Sequence, residues 1–480
     1  MAQTEGNEQL KKGAIGTMPL VFMVIAAAAP LGAVAGNTPL VIGLGNGIAA
    51  PLDFLLVGIL LLIFSVGYTA MSRHIVNAGA FYTYISAGLG KRLGSAAGYV
   101  ATFSYSMLTI YCASASGYFA SNTIQQTFGV TIPWWACSIV LFAVIYALGW
   151  CGIEAGATVL MVALSLEIAV LAALDIAVLV EKGASAFTLD SFSFTEFTKG
   201  APGLGLTFAF LCFIGFEATA IFGEEVKDPK TTVKRATYIA VIIIGVIYVI
   251  SSWAGIAAMG SSKIVTMAQG ADAGTIYYVI AKNSLGTVFS TIYDWLFITS
   301  FLAAWLSSFN MSSRYIFAFG RNGLLPQSVA RTQSRFKSPY VASTILTAVG
   351  LVIIIVYAVT GLDPYLDCAA IFSAIAVVGI IAVEAVAAIS FIPYLLRKNG
   401  EEGFHYNRWT TTIAPALSAI GLIGILIMVI INFPLLTGST NIAINLLPVL
   451  LLAIAVGGYL YARHLDMQGH PVDPMNIDVN

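Results

Sequence analysis

A lone carboxylate deep in an apolar run is the first place where this chain could do chemistry. The run is PGLGLTFAFLCFIGFEATAIFGEEVKDP, Pro202 to Pro229, and Glu217 follows Phe213-Ile214-Gly215-Phe216 and precedes Ala218. From Gly203 to Val226 the run is long enough, at ~1.5 Å per residue, to cross a hydrocarbon core of about 30 Å. An acidic side chain at that depth costs roughly 2.5–3.5 kcal/mol on insertion scales, so Glu217 should face protein or water and not lipid. There it could pick up and release a proton. Gly215 beside it favours an unwound turn, which membrane helices tolerate where the freed backbone lines a binding cavity. The competing reading is a glycine packing contact with a glutamate bonded to a neighbouring helix. A second interruption lies in Ala26–Gly36, where Pro30 removes a helix hydrogen bond and Gly32 weakens helix propensity. Ala29, Pro30, Leu31, Gly32, Ala33 and Val34 are the backbone candidates there, against a kink that merely packs. Glu167, Asp175 and Glu384 also sit inside apolar runs and could belong to an ion path.

Composition says what must position these residues. Of the 480 residues 59% are hydrophobic and 9% charged, and mean hydropathy is +0.90. This is the balance of a polytopic membrane protein, with no room for a sizeable soluble domain. A net charge of −1 leaves no basic footprint for nucleic acid. Cys112, Cys137, Cys151, Cys212 and Cys368 show no CxxC spacing and read as small buried hydrophobes. The four histidines fall outside the apolar runs, and no HExxH, GxSxG or P-loop spacing occurs, which argues against an enzyme and leaves no metal or cofactor to expect. The first apolar run is too long for a cleaved signal peptide, so the N-terminus is expected to remain attached.

Twelve spans are expected, near 14–43, 51–72, 95–121, 133–150, 155–180, 203–225, 236–259, 287–318, 341–360, 367–396, 411–433 and 442–462. With both termini cytoplasmic, eighteen of the 22 basic residues lie inside and four outside. Arg314 and Arg321 then stand beside lipid headgroups. The segments Asn77–Gly90 and Asp272–Gly286 are weakly similar and lie on opposite sides, as an inverted five-span repeat requires. The expected divisions are a tail at 1–13, repeats at 14–200 and 201–400, two further spans at 401–463 and a tail at 464–480.

Four stretches together resemble the amino acid–polyamine–organocation superfamily of permeases: Phe213–Glu217, Glu224–Pro229, Asn77–Tyr82 and Gly320–Pro326. The resemblance covers nearly the whole chain. It implies an all-α fold of twelve transmembrane helices, a leucine-transporter-like five-plus-five inverted repeat with spans 1 and 6 broken, plus two C-terminal helices. In that family the breaks hold the substrate. Half-helix N-termini offer N–H groups to a carboxylate and C-termini offer carbonyls to an ammonium. Spans 3, 8 and 10 supply selectivity, with Tyr105, Ser106 and Tyr111 as candidates beside Phe213 and Phe216, the latter as a gate. The family's Gly-Ser-Gly signature is replaced here by Gly32-Ala33-Val34. Ser308 and Leu211 stand where the arginine/agmatine branch has tryptophans, which argues against that substrate.

The function implied is a secondary transporter that imports an amino acid or related small amine by alternating access in the plasma membrane. It would act as a monomer or weak homodimer, with lipid and the solute as partners. A sodium-coupled or exchange-type amine or polyamine carrier is the alternative, ahead of a channel or membrane enzyme. Proton coupling through Glu217, with Glu167 as a further candidate, is favoured over sodium held by Ser307 and Ser308. The span-5 lysine of some proton-coupled relatives is absent.

Overall fold

The computed structural model describes residues 9–270, 272–401 and 405–469, so the outer parts of both tails lie outside the described residues. Among these residues every regular element is helical, and the one extended contact is a bridge between Ile15 and Val226. Nine helical stretches are long and apolar enough to cross a membrane, and the first, Thr17–His74, makes two crossings because the chain turns back at Gly45–Gly47. Lys91–Phe128 crosses as well but is more polar, since its Ser, Thr and Gly residues face the protein interior. The 17-residue helix Trp134–Trp150 completes the twelve.

Span 1 begins as Thr17–Ala27 and resumes at Pro30; span 2 is Ala50–His74, span 3 Lys91–Phe128, span 4 Trp134–Trp150 and span 5 Ile153–Lys182. Span 6 is Pro202–Phe213 with a short continuation, Ala218–Ile221, and span 7 is Pro229–Met259. Span 8 ends at Arg321, span 9 is Tyr340–Thr360, and span 10 is Ala370–Lys398. Spans 11 and 12 are Ala414–Ile431 and Leu447–Met467. Helices 1 and 6 are therefore broken.

Packing repeats with a period of five spans. Span 2 lies along span 7 and span 3 along span 8, while span 1 touches span 7 as span 6 touches span 2. Span 3 also lies against span 10, as span 8 lies against span 5. The two similar segments form the same local device. After span 2 the helix Phe81–Leu89 ends at Gly90, φ 103°, from which span 3 starts. After span 7 the helix from Ile276 is interrupted at Gly286, φ 85°, from which the membrane part of span 8 runs. Both glycines adopt a left-handed conformation that other residues avoid.

Arg314 and Arg321 are not beside headgroups. Arg314 is 1% exposed and forks onto Glu225, with N–O distances of 2.5 and 2.9 Å, while also donating to the Asn310 carbonyl and side chain. Arg321 forks onto Glu224 at 2.6 and 3.0 Å. The two arginines are seven residues apart, two helical turns, so one face of span 8 meets the adjacent glutamates at the end of span 6. The same segment receives the start of the chain, since Ile15 N–H donates to the Glu225 carbonyl and Lys227 N–H to the Ile15 carbonyl. This end of the bundle is closed.

Arg314→Ala would leave Glu225 as a buried unpaired charge, so it should cost about 3–5 kcal/mol, whereas the double variant with Glu225→Ala should recover much of that loss. Thermal unfolding of purified protein in detergent measures both. Equal destabilisation by the single and double variants would show that Glu225 left alone carries no penalty, against the reading of a buried unpaired charge.

Candidate functional site

The first break follows from Pro30, which cannot donate to the Ala26 carbonyl. Thr17–Ala27 ends, Ala29 takes up a left-handed conformation at φ 46° and ψ 67°, and a new helix starts with Pro30 in its first turn. A non-glycine residue there costs on the order of 1–3 kcal/mol, a strain usually found where the backbone is put to use. The second break follows from Gly215, φ 112°. A Cβ there would stand 2.7 Å from the Cβ of Ala27, so close approach as well as conformation demands glycine. The two breaks touch each other.

Side chains satisfy the backbone that the breaks expose. Glu217 Oε2 accepts the Gly215 N–H at 2.8 Å, and Oε1 accepts the Tyr105 hydroxyl at 2.7 Å. The Glu217 carbonyl accepts the hydroxyl of Tyr68, whose oxygen in turn accepts the Ala220 N–H. Tyr248 stands 3.0 Å from the Ala28 carbonyl and 2.7 Å from that of Cys212, so its one hydroxyl bridges the C-terminal ends of both first halves. Across from it, the Gly32 N–H donates to Ser300 Oγ at 3.1 Å, and Ser300 donates to Glu167 Oε2 at 2.7 Å.

Between the breaks lies a cavity of about 100 Å³. Ala27, Ala28, Ala29, Gly32, Ala33 and Asn37 of span 1 form one wall, and Leu211, Cys212 and Ile214 of span 6 another. Span 3 adds Leu108, Tyr111 and Cys112, span 8 adds Phe301 and Ala304, and span 10 adds Ser373 and Val377. No residue lining it carries a charge. On the side away from the ion pairs, Phe301 and Tyr111 join an aromatic cluster in which Phe119 meets Phe301 at 5.2 Å and Tyr365 at 5.3 Å.

The sequence candidates divide. Ala29, Gly32, Ala33 and Tyr111 line the cavity, while Pro30, Leu31 and Val34 sit in the same half-helix without lining it. Phe213, Gly215, Phe216, Glu217, Ala218 and Tyr105 form the layer behind. Phe216 is not at the cavity: it is buried against Phe64 and Tyr68 of span 2, with centroids 5.8 and 6.3 Å away, and Phe213 packs on Tyr248 at 5.3 Å. The hydrophobic helix surface next to the unwound turn faces span 2, so in this conformation Phe216 packs away from the cavity. Ser307 faces the Met23 carbonyl at 3.4 Å, whereas Ser308 donates to the Trp305 carbonyl of its own helix at 3.0 Å, so the two hydroxyls address different neighbours. Cys112 and Cys212, read from sequence as inert packing, are cavity walls. Asn37, Ser300, Ser373, Tyr68 and Tyr248 were missed. Asn37 alone left a sequence signal, as an amide about two turns beyond the break.

A bundle of twelve crossings, two touching broken helices and a small enclosed cavity define a carrier of small solutes. The amino acid permease family model matches residues 15–455, and the chain belongs to that family. It is an integral membrane protein and an amino acid transporter, not an enzyme. Over 72% of its length it is 24% identical to the branched-chain amino acid permease BcaP of Bacillus subtilis, covering 74% of that protein. It is also 25% identical, over 65% of its length, to the uncharacterized transporter Rv1979c of Mycobacterium tuberculosis, covering 67% of it.

Gly32 and Gly215 should respond differently to substitution. A Cβ on Gly32 meets its neighbours at an ordinary 3.5–3.6 Å, so Gly32→Ala should retain binding, while Gly32→Leu should fill the cavity and abolish it at normal protein yield. Gly215→Ala should already fail, through both backbone strain and contact with Ala27. Substrate-induced thermal shifts of the purified variants read the difference, and Gly32→Leu binding as wild type would move the site elsewhere.

Proposed function

We propose that the chain imports neutral amino acids with small or branched apolar side chains, coupled to protons, by alternating access. The observation that carries this is the uncharged cavity set between two helix breaks. Of the substrate's charges, the carboxylate would be taken by the N–H groups that open the second half of span 1, where Gly32 already donates to a hydroxyl. The ammonium would be taken by carbonyls that end the first halves, near Ala28 and Cys212, with Tyr248 holding them in place. A charged side chain would be desolvated without a partner against Ala33, Leu108, Ile214 and Val377. This disfavours arginine, polyamines and acidic amino acids, and accords with the branched-chain substrate for which the Bacillus relative is named.

The basic residues orient the bundle, placing the closed end with Arg314 and Arg321 in the cytoplasm of a plasma-membrane protein. The structure is then sealed inward by the two ion pairs, while on the outward side the aromatic cluster roofs the cavity. Proton coupling is supported by buried carboxylates bonded to both breaks, Glu217 at Gly215 and Glu167 through Ser300 at Gly32. Sodium between span 1 and span 8 has weaker support, because Ser307 faces span 1 while Ser308 is turned back onto its own helix.

Proteoliposomes test the reading. Labelled valine or leucine should enter by counterflow and accumulate under an inward pH gradient in sodium-free buffer, and excess arginine should not compete. Accumulation that needs sodium and ignores pH would overturn the coupling, and efficient competition by arginine would overturn the substrate class.

Orientation has its own check. A cysteine at Lys199 should react with an impermeant maleimide from outside the cell and one at Lys337 only after permeabilisation, in a background lacking the exposed Cys151. The reverse pattern would invert the bundle.

A further inference from the structure

Span 10 carries a second carboxylate that the binding site does not use. Glu384 is fully buried, and among the described residues neither of its oxygens meets a hydrogen-bond donor. The charged group that acts on it is Glu217 of span 6. From span 3 Tyr105 faces the pair, and from span 8 Tyr315, stacked on Tyr105 at 5.4 Å between centroids. Tyr84, from the helix after span 2, stands behind Tyr315. Arg314 is taken up by Glu225 and Asn310.

The two carboxyl groups have opposite surroundings. Glu217 accepts one donor on each oxygen, the Gly215 amide and the Tyr105 hydroxyl, which is the environment of an ionised carboxylate. Glu384 has no donor to satisfy a negative charge, which is the environment of a neutral acid. Two buried like charges near one another cannot both ionise, so the pair holds one proton.

Resting on the proton-coupled reading above, we propose that Glu384 carries the transported proton and that Glu217 stays ionised beside it as the cap of the span-6 break. Loss of the proton from Glu384 places a second negative charge against Glu217. With the proton gone to the exposed side and none gained by Glu217, the repulsion drives Glu217 off the Gly215 amide, which releases the turn that shapes the substrate site. Proton and amino acid are thereby bound together and released together.

Infrared difference spectroscopy on purified protein in nanodiscs reads the proton directly. The C=O region of neutral buried carboxyls should lose intensity in Glu384→Gln relative to wild type, and a C=O region identical in the two overturns the assignment. In proteoliposomes Glu384→Gln should exchange valine by counterflow near the wild-type rate yet fail to accumulate it under a pH gradient, with uptake no longer varying with pH. Glu384→Asp should restore accumulation, which separates a proton carrier from a packing residue, and its failure to do so would count against the role. Glu384→Gln that accumulates as wild type overturns the role of Glu384 while leaving proton coupling intact. Wild-type uptake indifferent to the pH gradient overturns the coupling itself, and this role with it, whatever the infrared band shows.

Discussion

Interrupting a helix inside a membrane exposes backbone groups that lipid cannot satisfy, and this structure depends on how those groups are answered. Several of the freed amides and carbonyls are met by side chains, from within the break or from neighbouring spans: Glu217 and Tyr68 around the second break, Ser300 at the first, and Tyr248 across both. The partners come from spans 2, 6, 7 and 8, so the breaks cannot form until those spans have packed. The bundle builds the site, and the site in turn fixes the bundle's centre.

The arrangement also explains why the cavity is uncharged although carboxylates lie so close. Glu217 and Glu167 face the breaks from behind, each spending its hydrogen bonds on the backbone or on a hydroxyl that holds it. Their charge acts on the half-helix ends and not on the solute. The cavity itself is lined by small, apolar and uncharged polar residues.

Much of this could be read in the sequence, for particular reasons. Pro30 and Gly215 are local signals, because one lacks a donor and the other reaches a conformation closed to other residues. The spans were legible because a membrane crossing is a composition before it is a structure. Pairings across the bundle were not legible. Nothing near Arg314 in sequence shows that Glu225, 89 residues away, neutralises it, so the positive-inside rule supplied a plausible but different environment. The direction of Phe216, towards span 2, was hidden for a related reason: an unwound turn rotates the following residue by an amount that periodicity cannot give. Cys112 and Cys212 looked like packing because small apolar residues are packing almost everywhere, and only the three-dimensional arrangement shows that these two line a cavity.

The closed end shows how the breaks can control access. Glu224 and Glu225 hold three separate parts of the protein: Arg314 and Arg321 of span 8, the start of the chain through Ile15, and the loop after span 2, where the Ala78 N–H donates to Glu224 at 2.8 Å. All three are gripped by one short segment, and that segment continues directly from the turn capped by Glu217. A shift of the second half of span 6 therefore loosens every contact at once. Ion pairs suit such a gate. The desolvation that makes a buried pair a weak net stabiliser is recovered when water enters, so closed and open states can lie close in free energy despite the number of bonds exchanged. An apolar plug of equal area would have no such compensation on opening, and would hold the carrier shut.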